Sequence, residues 1–307
     1  MSEPTVRILV VLAYFNGAEW VRDQIQSILA QTDVDVRIVV FDDGSTLGLT
    51  AAEALAGTAP DVEIRTRDVA SGGAGQNFLR ALTEIDTSEC DFVAFSDQDD
   101  VWDRAKLQTA VRRLSESGSA GYSSAVRASW PNGNVKILGQ ISEVTDIDFL
   151  FEGAGQGCTF VLTRAFVDQL KVIISDRYRL ISGVHYHDWF VYAVSRALGY
   201  HWVFDPLPSM MYRQHESNDT GARSSLSGIA SRLTKVRNGW YAAQVRIIHQ
   251  AVQSLDPRVV PVDFEQALQR RDGLIRRVAL FRVVIRRGRR RRSDRLILGA
   301  SALLGWI

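Results

Sequence analysis

The first hundred residues alternate between short, continuous apolar runs and segments whose apolar residues recur at helical spacing. Continuous apolar runs of this length are typical of strands buried on both faces of a sheet. They predict strands at residues 7–15, 36–41, 62–67 and 92–96. Helical spacing predicts helices at residues 18–31, 49–55 and 77–85. Strands separated by helices in this way predict an α/β domain with a mostly parallel central sheet, flanked by helices and joined by right-handed crossovers.

The pattern is more mixed between residues 100 and 222. Residues 131–134, Pro-Asn-Gly-Asn, are a turn signal between two β-prone stretches and predict a hairpin. A further buried strand is predicted at residues 158–162 and a helix at residues 188–198.

The last third of the chain has a helical character. Amphipathic segments at residues 229–255 and 264–285 predict two long helices, which are separated by Asp256 and Pro257. We therefore predict an α/β domain over residues 1–222 and a helical C-terminal region over residues 223–307.

Charge is distributed unevenly along the chain. The net charge is only +1, yet residues 270–307 hold twelve arginines against two acidic residues. Such asymmetry indicates an acidic partner for this tail, either a membrane surface or a nucleic acid. The longest uncharged apolar run, residues 296–307, is too short to cross a bilayer, which needs roughly 20 residues. The first residues lack a signal-peptide pattern, and two widely spaced cysteines indicate reduced thiols in a cytoplasmic protein.

Polar residues follow three of the predicted strands at the point where each strand ends. The first strand leads into Asn16 and Gly17, the second into residues 42–45 (Asp-Asp-Gly-Ser), and the fourth into residues 97–100 (Asp-Gln-Asp-Asp). Any one of these motifs alone can be explained by turn formation. Because ligands bind beyond the carboxyl ends of parallel strands, three such clusters together predict a binding site at this edge.

The acidic cluster at residues 97–100 favours a cation. Asp97, Asp99 and Asp100 place like charges at one strand end, which is costly unless a cation or hydrogen bonds compensate them. Mg²⁺ and Mn²⁺ accept one or two protein carboxylates together with substrate phosphates, so the cluster predicts a metal-bound nucleotide diphosphate. Capping of the following helix is the structural alternative, but it accounts for one aspartate and not for three.

The motifs together resemble the family 2 glycosyltransferases of GT-A fold, and in particular their bacterial rhamnosyltransferase-like branch. The resemblance is dense over residues 6–108 and continues less densely to about residue 222. Its motifs are Ala-Tyr-Phe-Asn-Gly at 13–17, Asp-Asp-Gly-Ser-Thr at 42–46, Gln-Asn-Phe at 76–78, Ser-Asp-Gln-Asp-Asp-Val-Trp at 96–102, His-Asp-Trp at 187–189 and Tyr-Arg-Gln-His at 212–215. It implies a GT-A fold, here with a helical C-terminal extension.

The resemblance also implies roles for individual residues of the donor site. The donor nucleotide would be bound by Ala13, Tyr14, Asn16, Asp42, Asp43, Asn77, Asp97 and Gln98. Asp99 would bind the metal ion, Mg²⁺ or Mn²⁺, and His215 is a candidate for a second ligand. A single histidine near a strand end can equally be structural.

The catalytic base of the family is an acidic residue just before a helix, commonly the second member of a Glu-Asp pair. Here the pair is His187-Asp188, so the resemblance assigns the base to Asp188, and His187 departs from the strict motif. In an inverting displacement, Asp188 would take a proton from an acceptor hydroxyl as that oxygen attacks the anomeric carbon. The alternative is that Asp188 only caps the helix that follows.

The basic tail is open to three interpretations. As a peripheral anchor, its arginines would meet anionic lipid while the apolar end, including Trp306, enters the membrane interface. A nucleic-acid partner is not expected, since interleaved aromatic residues are missing. The third interpretation is a helix that packs its apolar end on the main domain.

The sequence thus predicts an inverting, metal-dependent glycosyltransferase at the cytoplasmic face of the cell membrane, acting in cell-surface polysaccharide synthesis. It would transfer a sugar from a nucleotide diphosphate donor to a glycan or a lipid-linked acceptor. The rhamnosyltransferase-like motif favours dTDP-rhamnose, and UDP-linked hexoses remain open. The alternatives are a non-catalytic, donor-binding scaffold subunit and a nucleotidyltransferase.

Overall fold

The computed structural model describes residues 5–57, 62–139, 141–215, 234, 236–271 and 273–307. Its strands are β1 (Arg7–Tyr14), β2 (Asp35–Asp42), β3 (Val62–Thr66), β4 (Phe92–Ser96), β5 (Val101–Trp102), β6 (Gly121–Ser129), β7 (Val135–Leu138), β8 (Val161–Thr163) and β9 (Trp202–Arg213). Its helices are α1 (Val21–Leu29), α2 (Ala51–Ala54), α3 (Ala74–Glu84), α4 (Lys106–Ser117), α5 (Arg164–Asp176), α6 (Tyr178–Ile181), α7 (His187–Ala197), α8 (Trp240–Leu255), α9 (Val262–Gln269), α10 (Gly273–Arg287) and α11 (Arg292–Leu304).

The strands form one mixed sheet with the order β3-β2-β1-β4-β8-β6-β9-β5, and β7 pairs with β6 outside this path. The first half, β3-β2-β1-β4, is entirely parallel, as the alternation of strands and helices predicts. In the second half, β8 runs antiparallel to both β4 and β6, whereas β9 runs parallel to β6. The predicted α/β fold is therefore confirmed, with a parallel half that carries the polar strand ends.

Both faces of the sheet are covered by apolar residues. On one face, α1, α2 and α4 pack through residues such as Ile25 and Leu107. On the other face, α3, α5 and α7 pack on the sheet, and α8 to α11 add residues such as Ile248 and Val284 to the same core. The described helices of the C-terminal region thus share a hydrophobic core with the sheet.

Three predictions about local structure can be compared with the elements. The hairpin is confirmed, since β6 and β7 pair on either side of residues 131–134 and Gly133 has the positive φ of 82° that its turn requires. A strand does form near the predicted residues 158–162, but its predicted start was wrong, because residues 157–159 form a 3₁₀ turn before β8.

The helix predicted at 264–285 was also wrong, because two helices, α9 and α10, occupy this stretch. Arg270 adopts an extended backbone with ψ of 129° and ends α9, a break that hydrophobic periodicity does not reveal. Of the helix predicted at 229–255, residues 229–233 and 235 lie outside the described residues, and α8 forms the last part.

The C-terminal helices are joined to the main domain by a buried ion network. The guanidinium of Arg290 lies 2.8 Å from one carboxyl oxygen of Asp148, and Arg196 lies 2.8 Å from the other. Glu152 accepts a hydrogen bond from the backbone N–H of Arg290. Part of the basic tail therefore serves to hold the chain together, and α11 buries Leu298 in the core. No helix among the described residues has the length and apolar character needed to cross a membrane.

Candidate active site

The three polar strand ends lie at one edge of the parallel half-sheet. Strand β1 lies between β2 and β4, and the register pairs Tyr14 with Asp42 and Leu12 with Ser96. The residues that follow these positions are therefore neighbours in space although they are up to 80 or so positions apart in sequence. We refer to this edge, which comprises residues 13–17, 42–45 and 97–100, as the donor edge.

The two aspartates after β2 organise the loops around them. Asp42 is fully buried, and its carboxylate accepts hydrogen bonds from the N–H and hydroxyl of Ser45 and from the N–H of Ala51, at 2.7–2.9 Å. Asp43 accepts hydrogen bonds from the N–H and hydroxyl of Ser71, both at 2.7 Å. These aspartates fix the shape of the pocket wall by compensating buried backbone donors.

Asn16 and Gln98 connect the strand ends to each other. The side-chain oxygen of Asn16 accepts hydrogen bonds from the N–H groups of Thr46 and Leu47, at 3.0 and 2.9 Å. Gln98 exchanges two hydrogen bonds with the backbone of Phe15. A Cβ atom at Gly17 would lie 2.2 Å from the end of the Gln98 side chain, so a larger residue here would displace Gln98 from its hydrogen bonds with Phe15.

Asn77 is buried one layer behind the edge. Its side-chain nitrogen donates to the backbone oxygen of Phe41 at 2.8 Å, and its oxygen accepts from Arg67 at 3.0 Å. Arg67 also lies 2.7 Å from Glu84 and 3.7 Å from Asp43. The arginine was missed by sequence reasoning, although its place at the end of the third predicted strand was a usable signal.

Asp99 and His215 meet although they are 116 positions apart. The Nε2 atom of His215 lies 2.7 Å from Oδ2 of Asp99, and the imidazole stacks on Trp20 with ring centroids 4.3 Å apart. Both side chains keep some exposure to the donor edge. The structure thus places the two candidate metal ligands side by side. Trp20, which orients the histidine ring, was not predicted.

A second group of potential ligands consists of Asp97, Asp100 and Cys158, whose ligand atoms lie within 4.8 Å of one another. Burial and the charges of Asp99 and Asp97 raise the pKa of Asp100 well above its usual range. Burial and nearby aspartates raise the pKa of the Cys158 thiol as well. A hard cation such as Mg²⁺ prefers oxygen ligands, which favours the carboxylates of Asp97 and Asp99 over the thiol of Cys158.

Asp188 lies at the start of α7, where its carboxylate accepts a hydrogen bond from the N–H of Trp189 at 2.7 Å. The 3₁₀ turn at residues 157–159 contacts it directly. A Cβ atom at Gly157 would lie 3.3 Å from the Cβ of Asp188 and 2.3 Å from Nε2 of His187. Because Cys158 is next to Gly157 and reaches Asp97 and Asp100, this turn connects the predicted base with the acidic end of the donor edge.

His187 is buried between Phe78 and Phe95, with ring centroids 4.1 and 5.5 Å away. Burial lowers its pKa to about 3, so the imidazole is neutral at physiological pH. His187, which departs from the acidic pair of the family motif, is therefore a neutral side chain that packs against two phenylalanine rings. It leaves Asp188 as the single acidic group of the pair.

The structure has the features that the resemblance to glycosyltransferases of GT-A fold implies: an α/β sheet with acidic strand ends, a carboxylate–imidazole pair and a further carboxylate on a neighbouring helix. The chain belongs to glycosyl transferase family 2, whose model matches residues 9–159. This family assignment replaces the nucleotidyltransferase alternative.

The similarity extends over most of the chain. A curated relative, "dTDP-rhamnosyl transferase RfbG" of Shigella flexneri, is 36% identical over 243 residues, which are 78% of this chain and 84% of the relative. Among solved structures, S. aureus TarS (residues 1–349) is similar with a TM-score of 0.53 and 16% identity, over 98% of this chain and 89% of that one. The mannosyltransferase PcManGT of Pyrobaculum calidifontis, solved with GDP-Man and Mn²⁺, has a TM-score of 0.51 and 16% identity, over 97% and 86%.

Proposed function

We propose that the protein is an inverting, metal-dependent rhamnosyltransferase that uses dTDP-rhamnose as its donor. The observation that carries this proposal is the Asp99–His215 pair at 2.7 Å at the donor edge. Asp97 and Asp100 of the same acidic motif lie beside Cys158 in the 157–159 turn, which approaches Asp188. The donor sugar is inferred from the Shigella relative, which covers most of the chain.

The donor edge is suited to a nucleotide diphosphate because its walls are already formed. Its walls are fixed by hydrogen bonds of Asp42, Asp43, Asn16 and Gln98, so little ordering is needed when the nucleotide binds. Ala13, Tyr14 and Asn77 would contact or support the nucleoside, and Asp97 would face the ribose and diphosphate. These assignments follow from the resemblance of the motifs to those of the family.

Asp99 and His215 fit a divalent cation because they offer carboxylate oxygens and one imidazole nitrogen at contact distance. When bound, Mg²⁺ or Mn²⁺ would neutralise the charge that develops on the departing diphosphate. Trp20 would keep the His215 ring in a fixed orientation.

Asp188 is the proposed general base. It would accept the proton of an acceptor hydroxyl while that oxygen forms a bond to the anomeric carbon and the bond to the nucleotide diphosphate breaks on the opposite face. A base of this kind must lie about 2.6–3.2 Å from the hydroxyl, directly or through one water. Neutral, buried His187 would leave the carboxylate as the group that takes the proton.

The donor assignment is tested with a panel of nucleotide sugars, each with Mg²⁺, Mn²⁺ or EDTA. We expect dTDP-rhamnose with a divalent ion to raise the melting temperature most and to undergo slow hydrolysis. Asp99→Asn should lose the metal-dependent part of the stabilisation, whereas Asp33→Asn, at an exposed position, should behave as wild type. A preference for a UDP-hexose would overturn the donor assignment. Donor binding without any turnover, even with native acceptor glycan, would favour the scaffold alternative.

We further propose that residues 1–222 form the donor-binding unit, that residues 223–307 form the C-terminal region, and that the basic tail of this region, residues 286–307, contacts an anionic membrane carrying the acceptor. Helix α11 buries Leu298 and Ala302 on one side and exposes Leu296, Ile297, Leu303 and Leu304 on the other. Arg291 and Arg292 are exposed at its start. An apolar face next to basic residues is suited to the interface of an anionic bilayer, where each basic residue contributes about 1 kcal/mol.

Vesicle co-sedimentation tests this surface. Wild type should bind phosphatidylglycerol-containing vesicles more strongly than phosphatidylcholine vesicles, and Leu296→Ser with Leu303→Ser should weaken that binding. The matched control is Val135→Ser with Ile137→Ser, which alters exposed apolar residues on β7. Equal binding by both double variants, or no binding by wild type, would contradict the proposal. Point variants are preferable to deletion of the tail, because deletion would also remove buried Leu298 and Arg290.

A further inference from the structure

A lysine is buried beside the acidic motif of the donor edge, residues 97–100. Lys106, the first residue of α4, is only 1% exposed, although lysine is rarely buried without an acidic partner. Among the residues that the structure describes, its Nζ atom has no hydrogen-bond partner, and it lies 3.8 Å from the centroid of the Trp102 ring. An ammonium group held in this way needs negative charge nearby to offset the cost of its burial.

The acidic motif supplies negative charge close to this lysine. Trp102 follows Asp100 by two residues, and both are buried, as Lys106 is. Burial lowers the pKa of Lys106 to about 8, and nearby Cys158 and Asp100 act in the opposite direction, so the amine is mostly protonated at pH 7. The ligand atoms of Cys158 and Asp100 lie within 4.8 Å of that of Asp97. The positive charge of Lys106 is therefore within electrostatic reach of the motif.

Two arginines from neighbouring strands differ from Lys106 in their partners. Arg213 of β9 is paired with Asp23 at 2.7 Å, and Arg127 of β6 is paired with Asp103. Their charges are compensated by carboxylates outside the acidic motif. The charge of Lys106 has no such carboxylate among the ion pairs of the described residues, and so it acts on the motif itself.

A fixed positive charge affects a cation and an anion in opposite ways. The ammonium group of Lys106 repels a divalent ion bound at Asp99 and attracts the diphosphate of a donor. Such interactions extend further in a buried, poorly solvated region than they do in water. Lys106 would therefore weaken the binding of the ion to the site without nucleotide and strengthen the binding of the diphosphate.

We propose that Lys106 is an internal counter-charge of the acidic motif and that it couples the binding of the divalent ion to the binding of the nucleotide diphosphate. The diphosphate brings negative charge and further oxygen ligands, so the ion and the donor bind together. Because it is buried, Lys106 acts through its charge and is a positioning residue, not a catalytic one. This inference rests on the proposed function, since it takes Asp99 as a metal ligand.

The test is Lys106→Met, which keeps the length of the side chain and removes its charge. Mn²⁺ binding is measured by electron paramagnetic resonance without nucleotide, and dTDP binding is measured by calorimetry in EDTA. We expect Mn²⁺ to bind about fivefold more tightly and dTDP about fivefold more weakly than in wild type, as for charges several ångströms apart at a high effective dielectric constant. The matched control is Lys171→Met on α5, at the other face of the sheet, where the lysine donates to the backbone oxygen of Ile85. It should bind both ligands as wild type does.

Opposite shifts of the two affinities identify a charge effect, because a loosened fold would weaken both. Unchanged Mn²⁺ affinity in Lys106→Met, or weaker binding of both ligands, would overturn the proposal. Lys106→Gln, which keeps a polar end without charge, replaces the methionine variant if that variant does not fold. Failure of both variants to fold would show that the ammonium group supports the fold instead, which also contradicts the proposal.

Failure of the proposed function would look different. In that case wild type itself would bind no Mn²⁺ with or without dTDP, or Asp99→Asn would bind it as tightly as wild type, and the role of Lys106 would fall with the metal site. If wild type binds Mn²⁺ through Asp99 and Lys106→Met binds it equally, the metal site stands and only the role of Lys106 is wrong.

Discussion

The donor edge and the region around Asp188 differ in how they are assembled. Every member of the donor edge lies in one of three short motifs, and Asn16, Asp42 and Gln98 are held by hydrogen bonds within or between adjacent loops. The region around Asp188 combines α7, the 157–159 turn and α8 with the buried network of Arg290. The donor edge is assembled by the pairing of neighbouring parallel strands, whereas the region around Asp188 forms only when the C-terminal helices have packed on the main domain.

The two regions also differ in how their charges are compensated. At the donor edge, Asp97, Asp99 and Asp100 follow one strand end, and burial together with the charges of Asp99 and Asp97 raises the pKa of Asp100. In the buried network, Asp148 is paired with two arginines, Arg196 and Arg290. A carboxylate beside an imidazole can share a metal ion with it, whereas a carboxylate between two guanidinium groups supports the fold. The comparison teaches that the partner of an acidic group separates the two roles: Asp99 pairs with a potential metal ligand, and Asp148 pairs with arginines.

The largest effect is expected at the base. Asp188→Asn keeps the shape of the side chain but removes its ability to take a proton, so the rate of transfer should fall about 10²–10⁴-fold, the usual contribution of a general base. Donor affinity should change little, because Asp188 lies outside the donor edge. The measurement is kcat with an accepted glycan, combined with titration of dTDP by calorimetry.

Asp176→Asn, at the end of α5, is the control, because it removes one carboxylate from an exposed position. Full activity of Asp188→Asn would show that another group takes the proton. A parallel loss of dTDP affinity would mean that Asp188 also contributes to donor binding, and that the donor edge and the region around Asp188 do not act separately.

The next largest effect concerns the support of this region. Arg290→Met removes a buried guanidinium and leaves Asp148 partly uncompensated, and breaking a buried pair typically costs about 3–5 kcal/mol of unfolding free energy. Chemical denaturation measures the loss. Arg258→Met is the control, since Arg258 and Asp256 form an exposed pair and no measurable change is expected. Equal stability of the two variants would contradict a structural role for the buried network.

The sequence predicts the donor edge well for a physical reason. Parallel strands bring their carboxyl ends together wherever the alternation of strands and helices is recognised, so Asn16, Asp42 and Asp99 could be placed at one edge without coordinates. The pairing of Asp99 with His215 followed only from the family resemblance, because no local pattern links positions that far apart.

The support of the base could not be predicted in the same way. Arg290 looks like part of a solvated or membrane-bound basic cluster, and its buried contacts with Asp148 and Glu152 depend on how α10 and α11 fold back. Trp240 likewise gives no sign in sequence that it will meet Tyr186. The contacts of Arg290 and Trp240 depend on how the helices pack on one another. Hydrophobic periodicity predicts the helices but not how they pack.

A smaller, pH-dependent effect is expected from His187. Its folded pKa of about 3 lies below the unfolded value of about 6.5, so the unfolded state binds more protons as the pH falls through 6.5. The group therefore destabilises the fold below about pH 6.5, and by pH 5 it costs about 2 kcal/mol relative to pH 7. His187→Gln should flatten this acid-side loss in urea titrations. An unchanged slope between pH 7 and 5 would show that His187 is not the buried neutral group described.

The smallest effect is expected at α2, the short helix beside the Asp42 loop of the donor edge. Thr50 and Glu53 form a reciprocal capping box at the start of α2. The backbone N–H of Ala51, the first residue of α2, donates a hydrogen bond to the carboxylate of Asp42. Thr50→Ala removes the cap and should cost about 1 kcal/mol of unfolding free energy. Thr50→Ser keeps the capping oxygen and should be nearly neutral. Because α2 holds one side of the Asp42 loop, dTDP affinity should weaken in the alanine variant and not in the serine variant. If dTDP binds both variants equally well, the loop keeps its shape without the cap, and the three hydrogen bonds of Asp42 alone suffice to hold this side of the donor edge.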